Sequence, residues 1–303
     1  MSAHSEAVVP RAEAIDRPTS RRRAKDLGFR LGLLVCLGLA ILMLGVLLVD
    51  VVLDGVDRLS WDFITSFASI NTDQAGIQAA LTGTLWLMAV CAVFIIPVGV
   101  ATAIYLEEYA DDTKWYNRLI EVNIQNLAAV PSIVYGILGL AFLVRGPLSL
   151  GPVILAGGLT LGLLVLPVVI IAGREAIKAV PPSIREGSMA LGATQWQTIR
   201  RQVLPAAVPG IATGVILSLS RAIGETAPLI VVGAATFVAF NPEGLDSNFT
   251  AMPIQIFDWI SRPSSDVNDY RPLAAAGILL LMILLVAMNS IAIWLRNRYE
   301  QKW

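Results

Sequence analysis

A chain of 303 residues with 56% hydrophobic and 15% charged residues and a mean hydropathy of +0.70 is too apolar for an ordinary soluble domain. Its apolar residues gather into runs of about 18 or more, the length that crosses a bilayer as a helix, while the alternating segments of about 10 residues that a membrane barrel needs are missing. The net charge of −1 excludes little, but the single histidine, His4, lies in a polar tail and leaves no basis for a histidine metal site or a Ser-His-Asp triad.

In chain order, residues 1–28 form a polar, basic stretch (Arg11, Arg17, Arg21, Arg22, Arg23, Lys25) expected to be a disordered tail. The remainder, 29–303, reads as one membrane domain. A first span over Leu31–Leu53 exceeds the roughly 7–15 apolar residues of a signal-peptide core and is expected to be retained. Residues 54–79 mix aspartates with Trp61, Phe63 and Phe67, which suits a segment at a membrane surface. A second span over Ala80–Ile104 contains Pro97; a polar loop over Glu107–Asn123 leads to a third, Leu127–Val144, with Pro131. After an Arg145-Gly146-Pro147 turn comes a fourth, Val153–Ala172, with Pro167. A polar loop, 173–205, separates it from a long apolar run, Ala206–Phe240. Residues 241–272 are polar and mildly acidic, and a sixth span, Leu273–Leu295, ends at Arg296, Arg298 and Lys302. Cys36 and Cys91 sit inside apolar runs without the paired spacing of a zinc or redox motif and read as small packing residues. The expected fold is an all-α membrane protein of six transmembrane helices.

Six spans place both termini on one side. The tail, the 106–125 loop, the 173–205 loop and the C-terminus carry seventeen Lys or Arg against four on the other side, so both termini and the 173–205 loop are expected in the cytoplasm. Spans two to five each hold a proline, which removes a helical hydrogen bond and kinks the helix. Four of them favour a bundle around a moving pathway over a plain anchor.

The long run carries two ionisable residues, Arg221 and Glu225, within Ser218-Leu219-Ser220-Arg221-Ala222-Ile223-Gly224-Glu225-Thr226-Ala227-Pro228. Each costs about 2.5–3.5 kcal/mol at a helix centre, against about 5 kcal/mol returned by the apolar residues of the run. The charges must therefore face protein or water. Four apart, they share a helix face and can pair. One reading is a structural salt bridge. The other is an anion site, in which the guanidinium fork meets a tetrahedral oxyanion and Glu225 balances Arg221 when the site is empty. Thr226, Ser220 and Ser218 add hydroxyls nearby.

Within the polar loop, Ser183 with Glu186 and Thr194 with Gln197 fit capping boxes. Two short helices are expected, parted at Gly192. Gly187, Ser188 and Ala190 would let another surface approach the first, while Trp196, Ile199 and Val203 line one face of the second, with Arg200 and Arg201 free to meet headgroups. The loop is thus either a docking element or an interfacial amphipathic segment.

Glu186-Gly187-Ser188, three residues, Gly192, nine residues and Gln202-Val203-Leu204-Pro205 resembles the EAA motif of ABC-importer permeases, with Gly187-Ser188 in place of two alanines and Gln202 in place of isoleucine. Three further stretches look like the phosphate-uptake branch of that family, the PstA/PstC permeases: Ile104-Tyr105-Leu106-Glu107-Glu108-Tyr109, Val130-Pro131-Ser132-Ile133-Val134-Tyr135-Gly136, and Arg221-Ala222-Ile223-Gly224-Glu225-Thr226-Ala227-Pro228-Leu229, the last closer to PstA. The resemblance covers residues 75–300. It implies a multi-pass permease of a bacterial-type cell membrane, of type I importer architecture, importing inorganic phosphate by alternating access. Its partners would be a PstC-type permease, two cytoplasmic ATPase subunits and an external phosphate-binding protein, with lipid around it and no nucleic acid. ATP and magnesium would be held by the ATPase, leaving this chain without a cofactor, a metal or a catalytic residue. Ser183, Arg185, Glu186, Gly187, Ser188, Ala190, Gly192, Leu204 and Pro205 would belong to the coupling element. Arg221 and Glu225 fall on the family's charged pair, and Arg174 matches a further family arginine on the substrate pathway. A permease for molybdate, sulfate or phosphonate, or an anion transporter that needs no ATPase, are the alternatives.

Overall fold

The computed structural model describes residues 20–111, 113–263 and 269–299, so His4, most of the basic tail and Lys302 lie outside the described residues. Most of those residues are helical, and the one β-type pairing among them is an isolated bridge between Val153 and Asn248. The chain forms two compact units, Met1–Asp50 and Val51–Trp303. In the first, the described residues belong to helix α1 (Ser20–Gly55), whose 36 residues exceed a bilayer core at about 1.5 Å each.

The second unit begins with a short surface helix, α2 (Trp61–Thr65), capped by the Ser60 hydroxyl accepting from the Phe63 N–H at 3.2 Å. Helix α3 (Gln78–Ile104) follows and ends in a wide π turn, Tyr105–Tyr109. Next come α4 (Trp115–Ala128), α5 (Ser132–Gly139) with a π turn over Leu140–Val144, and α6 (Ile154–Lys178). The polar loop holds α7 (Pro182–Ala190) and α8 (Gln195–Thr198). A third π turn, Ile199–Val203, carries α8 without interruption into α9 (Leu204–Ala222). Pro205 has no N–H to offer to the preceding turn, and the Leu204 N–H reaches back five residues to the Ile199 carbonyl, which widens the helix there. The chain continues through α10 (Ala227–Val232), α11 (Met252–Ser261) and α12 (Arg271–Tyr299).

Helix α6 is central, packed between α3 and α9. Small residues allow the close approach that membrane helices need in the absence of a hydrophobic drive between them. Gly158 and Gly162 of α6 face Val90 and Phe94 of α3; Gly210 and Gly214 of α9 face Ala176 and Ala172 of α6. A second core joins Phe63, Ile77, Met252, Trp259 and Leu273 beneath α2 and α11.

Three expectations need correction. Five described helices are long and apolar enough to span a membrane, or six if a bent pair counts as one. The expected third span is that pair: α4 and the α5 segment meet at 107°. Pro131 disfavours helix at Val130 and itself takes an extended conformation, φ −57° and ψ 139°. The Tyr135 hydroxyl crosses the bend to donate at 2.8 Å to the Leu127 carbonyl, which also accepts from the Val130 N–H at 3.1 Å. The long run Ala206–Phe240 is likewise broken, since α9 stops at Ala222 and α10 ends at a left-handed Gly233 (φ 99°). Finally, the polar stretch 241–272 contains α11, which buries Met252, Ile254, Gln255 and Trp259.

Candidate functional site

Arg221 lies in the last turn of α9, and Glu225 in the break before α10. The Arg221 Nε donates to Glu225 Oε1 at 3.2 Å, so the expected pair forms, across the helix end and not along one helix. Among the described residues neither terminal guanidinium nitrogen has a hydrogen-bond acceptor, and the Arg221 side chain is 45% exposed against 18% for Glu225. The contacts of Gly210 with Ala176 and Gly214 with Ala172 set the register of α9 on α6. That register puts Arg221 level with Val165–Pro167, the middle of α6. The break supplies open backbone at that depth, which membranes tolerate where it faces protein or water.

The stretches around this pair converge. Gly136 of α5 sits so close to Pro228 of α10 that a Cβ would meet the Pro228 Cα at 2.7 Å. Thr226 is half-buried at the start of α10, and its carbonyl accepts from the Ile230 N–H at 3.1 Å. The Ser220 hydroxyl lies 2.6 Å from Asn289 Oδ1 of α12 and 2.7 Å from the Ile216 carbonyl, so it is already engaged. Ser218 is buried, and its hydroxyl has no partner among the described residues.

Arg174 stands elsewhere. In the same register it is about nine residues, ~13 Å of helical rise, from the level of Arg221. There it meets two carboxylates, Glu121 of α4 at 2.8 Å and Glu107 of the first π turn at 3.5 Å.

In the polar loop the Thr194–Gln197 capping box forms in both directions, at 3.3 and 2.9 Å. The Ser183–Glu186 box does not. Helix α7 starts at Pro182, whose missing N–H and preset φ serve the first turn without a side-chain cap. Gly192 turns the chain between α7 and α8 at φ 86°, as expected. Ile199 and Val203 are buried while Trp196 is exposed, so the expected single apolar face is divided. Ser183, Glu186, Gly187 and Ala190 are exposed on α7, and Leu191 is 92% exposed just beyond it; Leu204 and Pro205 are half-buried. A groove of about 390 Å³ runs beside α7, lined by Ser183, Ile184, Gly187, Ser188, Leu191 and Gln202.

Arg185 points inward. It donates to Glu108 at 2.8 and 3.0 Å and to the Ile177 and Val180 carbonyls at 2.9 and 2.7 Å. The Gln195 side chain donates to the Glu108 carbonyl at 2.6 Å, and the Ser188 and Thr198 hydroxyls meet at 2.9 Å. Sequence reasoning missed Glu108, Glu121 and Gln195 as partners; opposite charges on separate elements were the available signal, but their separations in the chain hid the pairing.

A family model described as "Binding-protein-dependent transport system inner membrane component" matches residues 95–301. The phosphate transport system permease protein PstA 1 of Mycobacterium tuberculosis (strain CDC 1551 / Oshkosh) is 34% identical over 294 residues, covering 92% of this chain and 94% of that protein. The probable ABC transporter permease protein YqgI of Bacillus subtilis (strain 168) is 30% identical over 83% of this chain and 88% of its own length. Among solved structures, a chain of a bacterial alginate ABC transporter superposes with a TM-score of 0.68 at 17% identity, over 94% of this chain and 99% of that one. A chain of the inward-facing MetNI methionine ABC transporter gives 0.59 at 17% identity, over 74% and 98%. The chain therefore belongs to the binding-protein-dependent transport system inner membrane component family, as a multi-pass transport subunit that works with a substrate-binding protein, an ATPase and a permease partner.

Proposed function

We propose that this chain is the PstA-type permease subunit of an ATP-driven importer of inorganic phosphate, paired with a PstC-type permease. The observation that carries the cargo assignment is Arg221, level with the middle of α6, holding Glu225 through Nε alone and leaving its terminal nitrogens free. A free, planar fork of donors suits a tetrahedral oxyanion, and a neighbouring carboxylate suits one that carries a proton, as phosphate does near neutral pH and sulfate does not. Thr226 is the hydroxyl next in line. The names of the relatives, phosphate permeases among them, point the same way.

The exposed α7 surface with Leu191 is the coupling element that docks on a cytoplasmic ATPase, where ATP and magnesium are bound. The excess of basic residues on the loop side supports a cytoplasmic loop and termini. ATP-driven movement of α7 opens the broken helices alternately to each side, and the anion passes the Arg221 face between the two permeases.

Uptake of radiolabelled phosphate by vesicles holding the whole complex tests this reading. Arg221→Ala should abolish uptake while the subunits still co-purify; normal uptake would overturn the assignment. Competition by unlabelled molybdate, sulfate or phosphonate as strong as that by phosphate would name another cargo. Transport by the chain alone without ATP would support an ATPase-independent transporter.

A further inference from the structure

Two adjacent carboxylates on the first π turn, Glu107 and Glu108, hold two different arginines. Glu108, 8% exposed at its side chain, takes Arg185 of α7. Glu107 lies 3.5 Å from Arg174 of α6, whose Nη1 holds Glu121 of α4 at 2.8 Å. Helix α4 leads through the Val130–Pro131 bend into α5, and α5 packs by Gly136 on Pro228, three residues from Glu225. A continuous path thus runs from the docking helix to the Arg221–Glu225 pair, level with the middle of α6. Before the bend, its links between separate elements are charge pairs. The step at Arg174 is the loose one: its buried Nε has no hydrogen bond among the described residues, although Glu107 Oε2 stands only 3.5 Å away. A buried donor left short of its acceptor favours any movement that brings the two together.

We propose that Arg174 is a positioning residue for transport: with Glu107 and Glu121 it forms a clasp, slack in this conformation, that passes movement of α7 to the α4–α5 elbow. The clasp draws tight when the docking helix shifts the Tyr105–Tyr109 turn through the Arg185–Glu108 pair. Glu121 then carries α4 along, and the elbow moves α5 against α10 beside Arg221. The inference rests on the reading of α7 as the ATPase-docking helix and of Arg221 as the anion site. It assigns Arg174 a mechanical part in place of contact with the anion.

The test uses the complete complex in proteoliposomes and a readout independent of cargo. Nitroxides are attached through Leu138→Cys on α5 and Ile283→Cys on α12, in a chain carrying Cys36→Ser and Cys91→Ser. Pulsed electron-spin resonance then reads their separation with and without ATP plus vanadate. The separation should change in this background, and Arg174→Gln or Glu121→Gln should cut the change ~5-fold or more. ATP hydrolysis should continue in both variants, and Arg174→Lys should restore the change. The proposal is overturned if the background shows no change, if both neutral variants keep it, or if Arg174→Lys fails along with Arg174→Gln. Phosphate uptake is measured separately: a background that moves as expected but takes up no phosphate would sink the cargo assignment and leave the clasp standing.

Discussion

Gly136 and Pro228, ninety-two positions apart, touch with no room between them for a single methyl group. A Cβ at 136 would stand 2.7 Å from the Pro228 Cα and 3.0 Å from both the Pro228 carbonyl oxygen and the Val231 Cβ. Two of these obstacles are backbone atoms and cannot rotate away. The contact joins two of the stretches that resemble phosphate permeases, the second of which contains the break that holds Glu225.

Gly136→Ala is accordingly predicted to force α5 off α10, at a cost of about 1–3 kcal/mol for overpacking. Thermal unfolding of the detergent-solubilised complex should shift down, and uptake should fall even though no charged residue has changed. An unchanged melting temperature together with full uptake would show that the two helices are not held at this distance.

Arg221→Lys keeps the charge and loses the planar fork. The prediction is a fall in uptake of roughly 10-fold or more, from the loss of about 1.5–3 kcal/mol of charge-assisted hydrogen bonding to the anion. Equal uptake by the lysine variant would mean that the anion needs a positive charge there and nothing more specific.

If the 173–205 loop docks on an ATPase as proposed, its two glycines Gly187 and Gly192 should behave oppositely. Gly187 is helical, with open space where a Cβ would go, so Gly187→Ala should stabilise α7 by about 1 kcal/mol and leave assembly intact. Gly192 turns at φ 86°, where an L side chain costs about 1–2 kcal/mol, so Gly192→Ala should weaken docking. The retention of the ATPase on immobilised permease measures both. Equal retention by the two variants would remove the turn from the docking geometry.

Trp259 of α11 is 2% exposed, with its ring 6.0 Å from that of Phe63. Trp259→Ala should destabilise the α2–α11 core by about 3–5 kcal/mol. Differential scanning calorimetry of the complex would register this, while ATPase retention should stay normal because α7 lies in a different part of the unit. A melting curve equal to that of the parent would contradict the packed role given to α11.

Much of this molecule was legible in its residues. Hydropathy located the long helices, and the positions of Arg221 and Glu225 announced a pair that forms. Gly192 and the Thr194–Gln197 box marked the loop's turn and its second helix. The breaks were not legible as breaks, because an apolar run scores the same whether it crosses straight or folds back at Pro131 or Gly224. Helix α11 escaped notice because Gln255, Asp258 and Arg262 gave its surroundings a polar look, although six of its ten residues are buried. Arg185 and Arg174 look on paper like outward-facing charges. Their carboxylates lie 77 and 53 residues away, and only the folded chain shows that they are internal struts.

The uninterrupted path from α8 through the π turn into α9 has one more consequence. Gln195–Ala222 is one helical path of 28 residues, about 42 Å at the α-helical rise, with the 173–205 loop at one end and Arg221 at the other. If this path tilts as one body, angle becomes distance: about 5° pivoted at the loop would sweep the guanidinium sideways by about 3–4 Å. That sweep exceeds the length of a hydrogen bond. A rotation too small to disturb the packing near its pivot would therefore be enough to make or break a hydrogen bond at Arg221.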